Sequence, residues 1–408
     1  MGGRFAVRCV SVRSAIIHYW LLGRRGGEKV LDALCRLLPE ADIFTLFCDP
    51  ATLTEEVRSH RITTSFLNPL RRAYRSLLPL MPLALESFDL RGYDLVVSSE
   101  SGPAKGAIIS STTRHICYCH TPMRYLWELY PTYRNEWTRS AIKRAAMAPI
   151  ANYLRLWDYA SAARVDRFIA NSDNVRTRIW KTYRRESDVV HPPVDVTSCF
   201  WRPANDYYLV VSELVAYKRI DLAVRAFSRS GRRLIVAGDG PEYRALRAMA
   251  APNVEFAGRV SDENLRELFA RARAFVMPGE EDFGMTAVEA LASGKPVIAL
   301  GRGGVLETVP GYGGVFFDEP VEEALLDGVR RFEAIEGGFR PVELRAWAEN
   351  FSESEFARKM TPLLLGPPQF QTLTGARGAP VASAGYTGGG MRSSCVDRVA
   401  TKPVKIEG

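Results

Sequence analysis

The stretch VMPGEEDFGMTAVEALASGKPVIAL, Val276 to Leu300, decides how the rest of the chain is read. It opens on the end of an apolar strand, Ala274 to Met277, which Pro278-Gly279 interrupts. An acidic turn follows, Glu280-Glu281-Asp282-Phe283-Gly284. Met285 to Ala292 then has helical periodicity, with Val288 and Leu291-Ala292 on one apolar stripe. Gly294 ends that helix, and Pro296 to Leu300 reads as a second buried strand. Strand, loop, helix and strand make one unit of an open parallel sheet. Such sheets bind ligands where the carboxyl end of a strand feeds a helix N-terminus.

Glu281 stands in that loop and Glu289 in the early helix, with seven residues between them. The amides from Phe283 through Gly284 and Met285 to Thr286 lie between the carboxylates, at the positive end of the helix dipole. Acids at both ends with amides in the middle suit a ligand carrying hydroxyls at both ends and phosphates at its centre, as a nucleotide-sugar does. On spacing alone, a solvated acidic loop followed by an ordinary helix-start glutamate stays equally open.

The wording Glu-Asp-Phe-Gly, the following Val-Glu-Ala and the Gly-Lys-Pro-Val-Ile-Ala run resemble the paired-glutamate signature of the family 4 retaining glycosyltransferases. The resemblance implies an α/β GT-B fold, two doubly wound Rossmann-like domains facing across a cleft. It implies that Glu281 meets the donor sugar and Glu289 the ribose. Ile116-Cys117-Tyr118-Cys119-His120-Thr121-Pro122-Met123-Arg124-Tyr125 is an apolar strand ended by Pro122, which leaves His120 at a carboxyl end. The phrase resembles the histidine motif of the family's mannosyl- and rhamnosyl-transferring members. That implies a place for His120 beside the donor sugar, with Arg124 on the acceptor side.

The same resemblance orders the other motifs. A strand at Ala15 to Trp20 leads into Gly23 to Lys29 and a helix expected over Val30 to Leu38. A Gly-Gly pair here by itself signals only a tight turn. The family places a glycine-rich loop at this point, so Gly26 and Gly27 are expected to face the donor diphosphate. After the strand Tyr207 to Ser212, the family carries an arginine and a lysine on the diphosphate. Lys218 fills the lysine position, but Glu213 stands where arginine is usual, so Glu213 is expected to turn away or Arg219 to substitute. Backbone near Val260 is expected to read the nucleobase edge.

The 408 residues allow two domains, and 47% hydrophobic with 25% charged residues describes an ordinary globular chain. No run is long and apolar enough to span a bilayer, and Met1 to Ala6 lacks a signal-peptide core. Seven scattered cysteines supply no zinc spacing and fit a reducing cytoplasm. No Asp-any-Asp triplet occurs, so no metal and no cofactor are expected. The net charge of +8 favours an anionic partner, yet no nucleic-acid motif is present. Residues 66–82, FLNPLRRAYRSLLPLMP, interleave Arg71, Arg72 and Arg75 with leucines. This segment suits either an anionic membrane surface or a helix with its arginines in water.

The expected organisation is a first domain over 1–192, a second over 193–350, a helix over 351–365 crossing back, and a disordered tail over 366–408. A strand is expected within Gly102 to Ser110, and most of the arginines and lysines of Trp127 to Tyr183 are expected on solvated helix faces. The expected activity is transfer of a hexose, mannose from GDP-mannose by resemblance to O-antigen and exopolysaccharide enzymes. The acceptor would be a saccharide or a polyprenyl-diphosphate-linked saccharide. A sugar-nucleotide epimerase of the same fold and a non-catalytic membrane-bound partner subunit are the alternatives.

Overall fold

Short runs of Ile, Val, Leu, Phe and Ala alternate with amphipathic segments along the chain, and each run becomes a strand covered on both faces. The computed structural model describes residues 12–23, 25–136 and 141–366, without the side chains of 135–144 and 146. The expectation for the tail falls on residues outside these, apart from Gly366. The first sheet holds β1 (Ser14–His18), β2 (Asp42–Thr45), β3 (Ile62–Thr64), β4 (Leu95–Glu100), β5 (Arg114–Cys119), β6 (Arg167–Ala170) and β7 (Ser187–Val189), in the order β3-β2-β1-β4-β5-β6-β7. The second holds β8 (Tyr208–Val211), β9 (Leu234–Ala237), β10 (Val254–Gly258), β11 (Phe275–Met277), β12 (Val297–Leu300) and β13 (Gly314–Phe317), in the order β10-β9-β8-β11-β12-β13. Both sheets are parallel throughout.

In each sheet the strand order reverses direction once, between β1 and β4 in the first and between β8 and β11 in the second. These are the switch points where a doubly wound sheet opens a crevice. His18 closes β1, and Ser99 and Glu100 close β4, so the first crevice is lined by polar residues in an otherwise apolar sheet. Glu213 follows β8, and Glu281 follows β11.

The Glu353–Leu365 helix packs on the first sheet, although the residues before it belong to the second half of the chain. Ser352 caps it, accepting from the Glu355 amide at 3.4 Å. Phe356, Met360 and Leu364 are buried in one cluster with Ile16, Leu31, Val97 and Tyr118. The Arg114 guanidinium, at the start of β5, donates to the carbonyls of Leu363, Leu364 and Gly366 at 2.7 to 3.2 Å. Those carbonyls have no partner inside the helix, so the arginine satisfies its end.

Two expectations change. No strand forms within Gly102 to Ser110; a 3-10 turn occupies Ala104–Gly106. Lys105 is fully buried there, ion-paired to Asp158 and 3.5 Å from Glu100, and this desolvated triad holds the backbone in a turn. The first helix starts at Gly26 rather than Val30, because the Arg25 amide donates to the Glu28 carboxylate at 2.9 Å in a helix-start arrangement.

Replacing Phe356 by Ala removes a side chain that is 2% exposed and bridges the two halves of the chain. Chemical denaturation of Phe356→Ala is expected to show a loss of about 3–5 kcal/mol. A loss near zero would mean that this helix does not pack on the first sheet.

Candidate active site

At the second switch point, β11 ends at Met277 and Pro278-Gly279 turns the chain. A Cβ on Gly279 would lie 2.5 Å from the Lys218 carbonyl oxygen, so only glycine lets the two loops approach this closely. That approach brings Lys218 Nζ within 3.0 Å of Glu281 Oε1. Burial works against the lysine's charge, but Glu281, Tyr217 and Glu213 together outweigh it and the Lys218 pKa is raised. Gly284 takes φ of 91° at the start of the Met285–Ala292 helix, a conformation that favours glycine. The first amides of that helix, at Met285 and Thr286, are left without intrahelical partners. Phe283 turns its ring into the core against His191 and Phe351, so it offers a ligand its backbone only. Val260 is half-buried just beyond β10, the edge strand.

The first switch point faces this helix. Gly26 and Gly27 are the first two residues of the Gly26–Leu37 helix, and neither has positive φ. Both lie in close contact: a Cβ would lie 3.0 Å from Met285 Sδ at Gly26 and 2.4 Å from the Tyr19 hydroxyl at Gly27. One turn along, Lys29 Nζ donates to Glu289 Oε1 at 2.7 Å. Arg25 Nη2 reaches Glu213 Oε1 at 3.0 Å. Two helix starts therefore meet across the crevice, with 25 opposite 213, 26 opposite 285 and 29 opposite 289. Glu213 faces Arg25 across the crevice, and Arg219 Nε is 3.2 Å from Asp221 Oδ1.

His120 lies just past β5, where its Nε2 is 2.9 Å from Ser99 Oγ, and the same hydroxyl is 3.0 Å from His18 Nδ1. The single hydroxyl proton goes to one imidazole, and the other imidazole must donate its N–H to the serine. Burial pushes His120 down to about 4 and His18 well below its usual value, the latter also through His120. Both rings are neutral at pH 7, so His120 serves as a hydrogen-bonding group rather than a cation.

Arg124 is not open to the cleft. Its Nη1 is 3.2 Å from Asp282 Oδ1 and its Nε 3.4 Å from Glu128. Arg178 also pairs with Asp282, and with Glu280 at 2.6 Å. Glu307 accepts the amides of Asp173 and Asn174 at 2.7 and 2.9 Å, opposite the dipole of the Asp173–Tyr183 helix. Arg124 and Arg178 are thus joints between the halves of the chain, and Arg178 is not on a solvated helix face. Sequence reading missed Arg25, Lys29, His18 and Ser99; only the position of His18 and Ser99 at strand ends could have marked them. Among the described residues, no group of three or more His, Cys, Asp or Glu side chains could hold a metal ion.

Comparison with known proteins fits this geometry. Residues 24–198 match the family described as Glycosyltransferase Family 4, and residues 201–351 match Glycosyl transferases group 1. The chain belongs to the family 4 glycosyltransferases. A GDP-mannose-dependent alpha-mannosyltransferase of Corynebacterium glutamicum is 30% identical over 36% of this chain and 38% of its own length. The alpha-1,3/1,6-mannosyltransferase ALG2 of Saccharomyces cerevisiae is 22% identical over 71% of this chain and 70% of its own. This glycosyltransferase spans less than half the length of the first of these and of two other curated relatives, 44% and 46%. The crystal structure of Anabaena HepE in complex with UDP-glucose superposes with a TM-score of 0.64 at 18% identity, over 86% of this chain and 99% of that one. That likeness shows the fold, GT-B.

The buried histidine gives a direct check on the hydrogen bonding in the first crevice. NMR of the His120 imidazole is expected to keep a neutral-ring pattern down to about pH 5, since its pKa is pushed to about 4. A midpoint near about 6.5, the ordinary value, would mean the ring is solvated and not held by Ser99.

Proposed function

We propose that the cleft binds a nucleotide-sugar and that the enzyme transfers the hexose to a saccharide acceptor with retention of configuration. The observation that carries this reading is the placement of Glu281 and Glu289 on either side of one helix start, each held by a lysine. Sugar and ribose hydroxyls would replace the lysines as donors to the two carboxylates. The diphosphate would lie at the amides of Gly284 to Thr286, with Lys218 beside it. Negative charge grows on the departing diphosphate as the glycosidic bond breaks, and preorganised donors at that point lower the barrier. His120, neutral and fixed by Ser99, would hydrogen-bond the donor sugar beside the reacting carbon. Gly26 and Gly27 would leave room for the phosphates against the facing helix.

The proposed donor is GDP-mannose, which the names of the Corynebacterium and yeast relatives favour. The proposed acceptor is a lipid-linked saccharide in cell-surface polysaccharide synthesis, reached from the cytoplasmic face of a membrane. The segment over 66–83 supports that location. Phe66, Leu70, Leu80 and Leu83 are exposed, and no carboxylate pairs with Arg71, Arg72 or Arg75 among the described residues. Arginines of this chain elsewhere are commonly ion-paired, which sets this patch apart. No helix among the described residues is long and apolar enough to cross a membrane.

A thermal-shift panel of nucleoside diphosphates and nucleotide-sugars tests the donor site, since a true ligand raises the melting temperature by mass action. GDP and GDP-mannose are expected to shift the wild type, and Glu289→Ala and Lys218→Ala are expected to lose the shift. An unchanged shift in both variants would sink the assignment. For the membrane, co-sedimentation with vesicles rich in phosphatidylglycerol is expected to fall by at least about tenfold when Arg71, Arg72 and Arg75 all become Glu, at about 1 kcal/mol per basic residue. Equal sedimentation of the variant and wild type would remove the segment from any membrane role.

A further inference from the structure

Glu213 poses a physical problem that the proposed function leaves unsolved. It stands in the β8 loop close to Lys218, on the side of the crevice where a diphosphate would lie, and a carboxylate there repels an anion. It is 31% exposed and so is not removed from the crevice by burial. Its partner is Arg25, from the opposite half of the chain, through a single guanidinium nitrogen at 3.0 Å. Arg25 immediately precedes Gly26, whose missing side chain lets the helix approach Met285 at the start of the proposed donor helix.

We propose that Arg25 is the diphosphate-binding guanidinium of this enzyme and that Glu213 is its positioning residue. The inference rests on the donor-site reading above. A guanidinium offers five N–H donors in a planar fork, and one edge can hold a carboxylate while another faces phosphate. Glu213 then fixes the direction of a long side chain that is otherwise 53% exposed and free to rotate. Arg25, Lys29 and Lys218 face Glu213, Glu289 and Glu281 in three ion pairs. Hydroxyls of a bound donor take over Glu281 and Glu289, and the positive charges so released meet the diphosphate. Because Arg25 comes from the first half and the donor helix from the second, phosphate binding pulls the halves together. The pair therefore moves a task usually given to one loop onto a bridge across the crevice.

The experiment compares binding of GDP, GMP and guanosine, with UDP and uridine in parallel, by calorimetry on wild type, Arg25→Ala, Glu213→Ala and the Arg25→Ala/Glu213→Arg double variant. Arg25→Ala is expected to weaken the preferred nucleoside diphosphate by about ten- to a hundredfold, the range for a hydrogen bond to a charged group, and to leave the nucleoside unchanged. Glu213→Ala is expected to weaken the diphosphate in the same direction. The double variant, which returns a guanidinium to the second half, is expected to recover most of the loss. Diphosphate affinity in Arg25→Ala within about twofold of wild type would overturn this inference alone, and so would an equal loss for the nucleoside, which a merely structural role produces. Absence of any nucleoside diphosphate binding by the wild type would overturn the donor-site reading and this inference with it.

Discussion

The meeting of two helix starts across the crevice is the contact on which the rest of the structure depends. Gly26 and Met285 bring the two positive helix ends together, which would be unfavourable unless acids intervened. Glu289 and Glu213 intervene, each held by a cation from the other side. Half-exposed ion pairs of this kind contribute only about 0–1 kcal/mol each. The seam therefore orders the crevice without locking it. The integrity of the molecule comes instead from the apolar clusters under each sheet and from the Glu353–Leu365 helix that straps the second half onto the first.

A second set of contacts lies away from the crevice and has a different character. Asp282 gathers Arg124 and Arg178, its carbonyl accepts from Ser172 at 2.7 Å, and Glu307 sits on the start of the Asp173–Tyr183 helix. Several hydrogen bonds converge on each of these carboxylates. Charge-assisted bonds in such surroundings hold more firmly than exposed pairs. The loop that carries Glu281 is thus anchored at its neighbour, Asp282, and Glu281 itself is left facing the crevice. Anchoring one acid so that the adjacent one can be offered to a ligand is an arrangement that needs two consecutive carboxylates with opposite surroundings.

Much of the fold was legible because it rests on local pattern. The Met285–Ala292 and Glu353–Leu365 helices and the strands at 208–211 and 297–300 follow from runs of apolar residues bounded by glycine, proline or a capping serine. The errors fell where a distant partner decides the local shape. Gly102 to Ser110 has strand-like composition, but Lys105 must reach Asp158, fifty-three residues away, and the backbone turns to let it. The start of the first helix depended on Arg25 and Glu28, which look like ordinary surface charges in sequence. Arg25 and Lys29 could not be identified as crevice residues, because their partners lie at 213 and 289 in the other half. His18 and Ser99 carry no motif; only the strand order, which puts β1 beside β4, shows that they share a hydrogen-bond path to His120.

The neutral imidazoles and the charged pairs belong to one electrostatic design. In the proposed complex, a protonated His120 would put a positive charge beside the sugar, where positive charge develops as the glycosidic bond breaks. Burial keeps both His18 and His120 uncharged, and the cations that face Glu213, Glu289 and Glu281 are Arg25, Lys29 and Lys218. In the proposed complex a leaving diphosphate would meet cations on its own side, while the sugar would meet neutral hydrogen-bond partners and the carboxylate of Glu281. That separation depends on the desolvated hydroxyl of Ser99, which hydrogen-bonds His18 Nδ1 and His120 Nε2 without introducing charge. A carboxylate at position 99 would draw a proton onto His120 and mix the two regions, whereas an apolar residue there would leave two buried ring nitrogens unpaired. Serine satisfies both demands within the space that adjacent parallel strands leave.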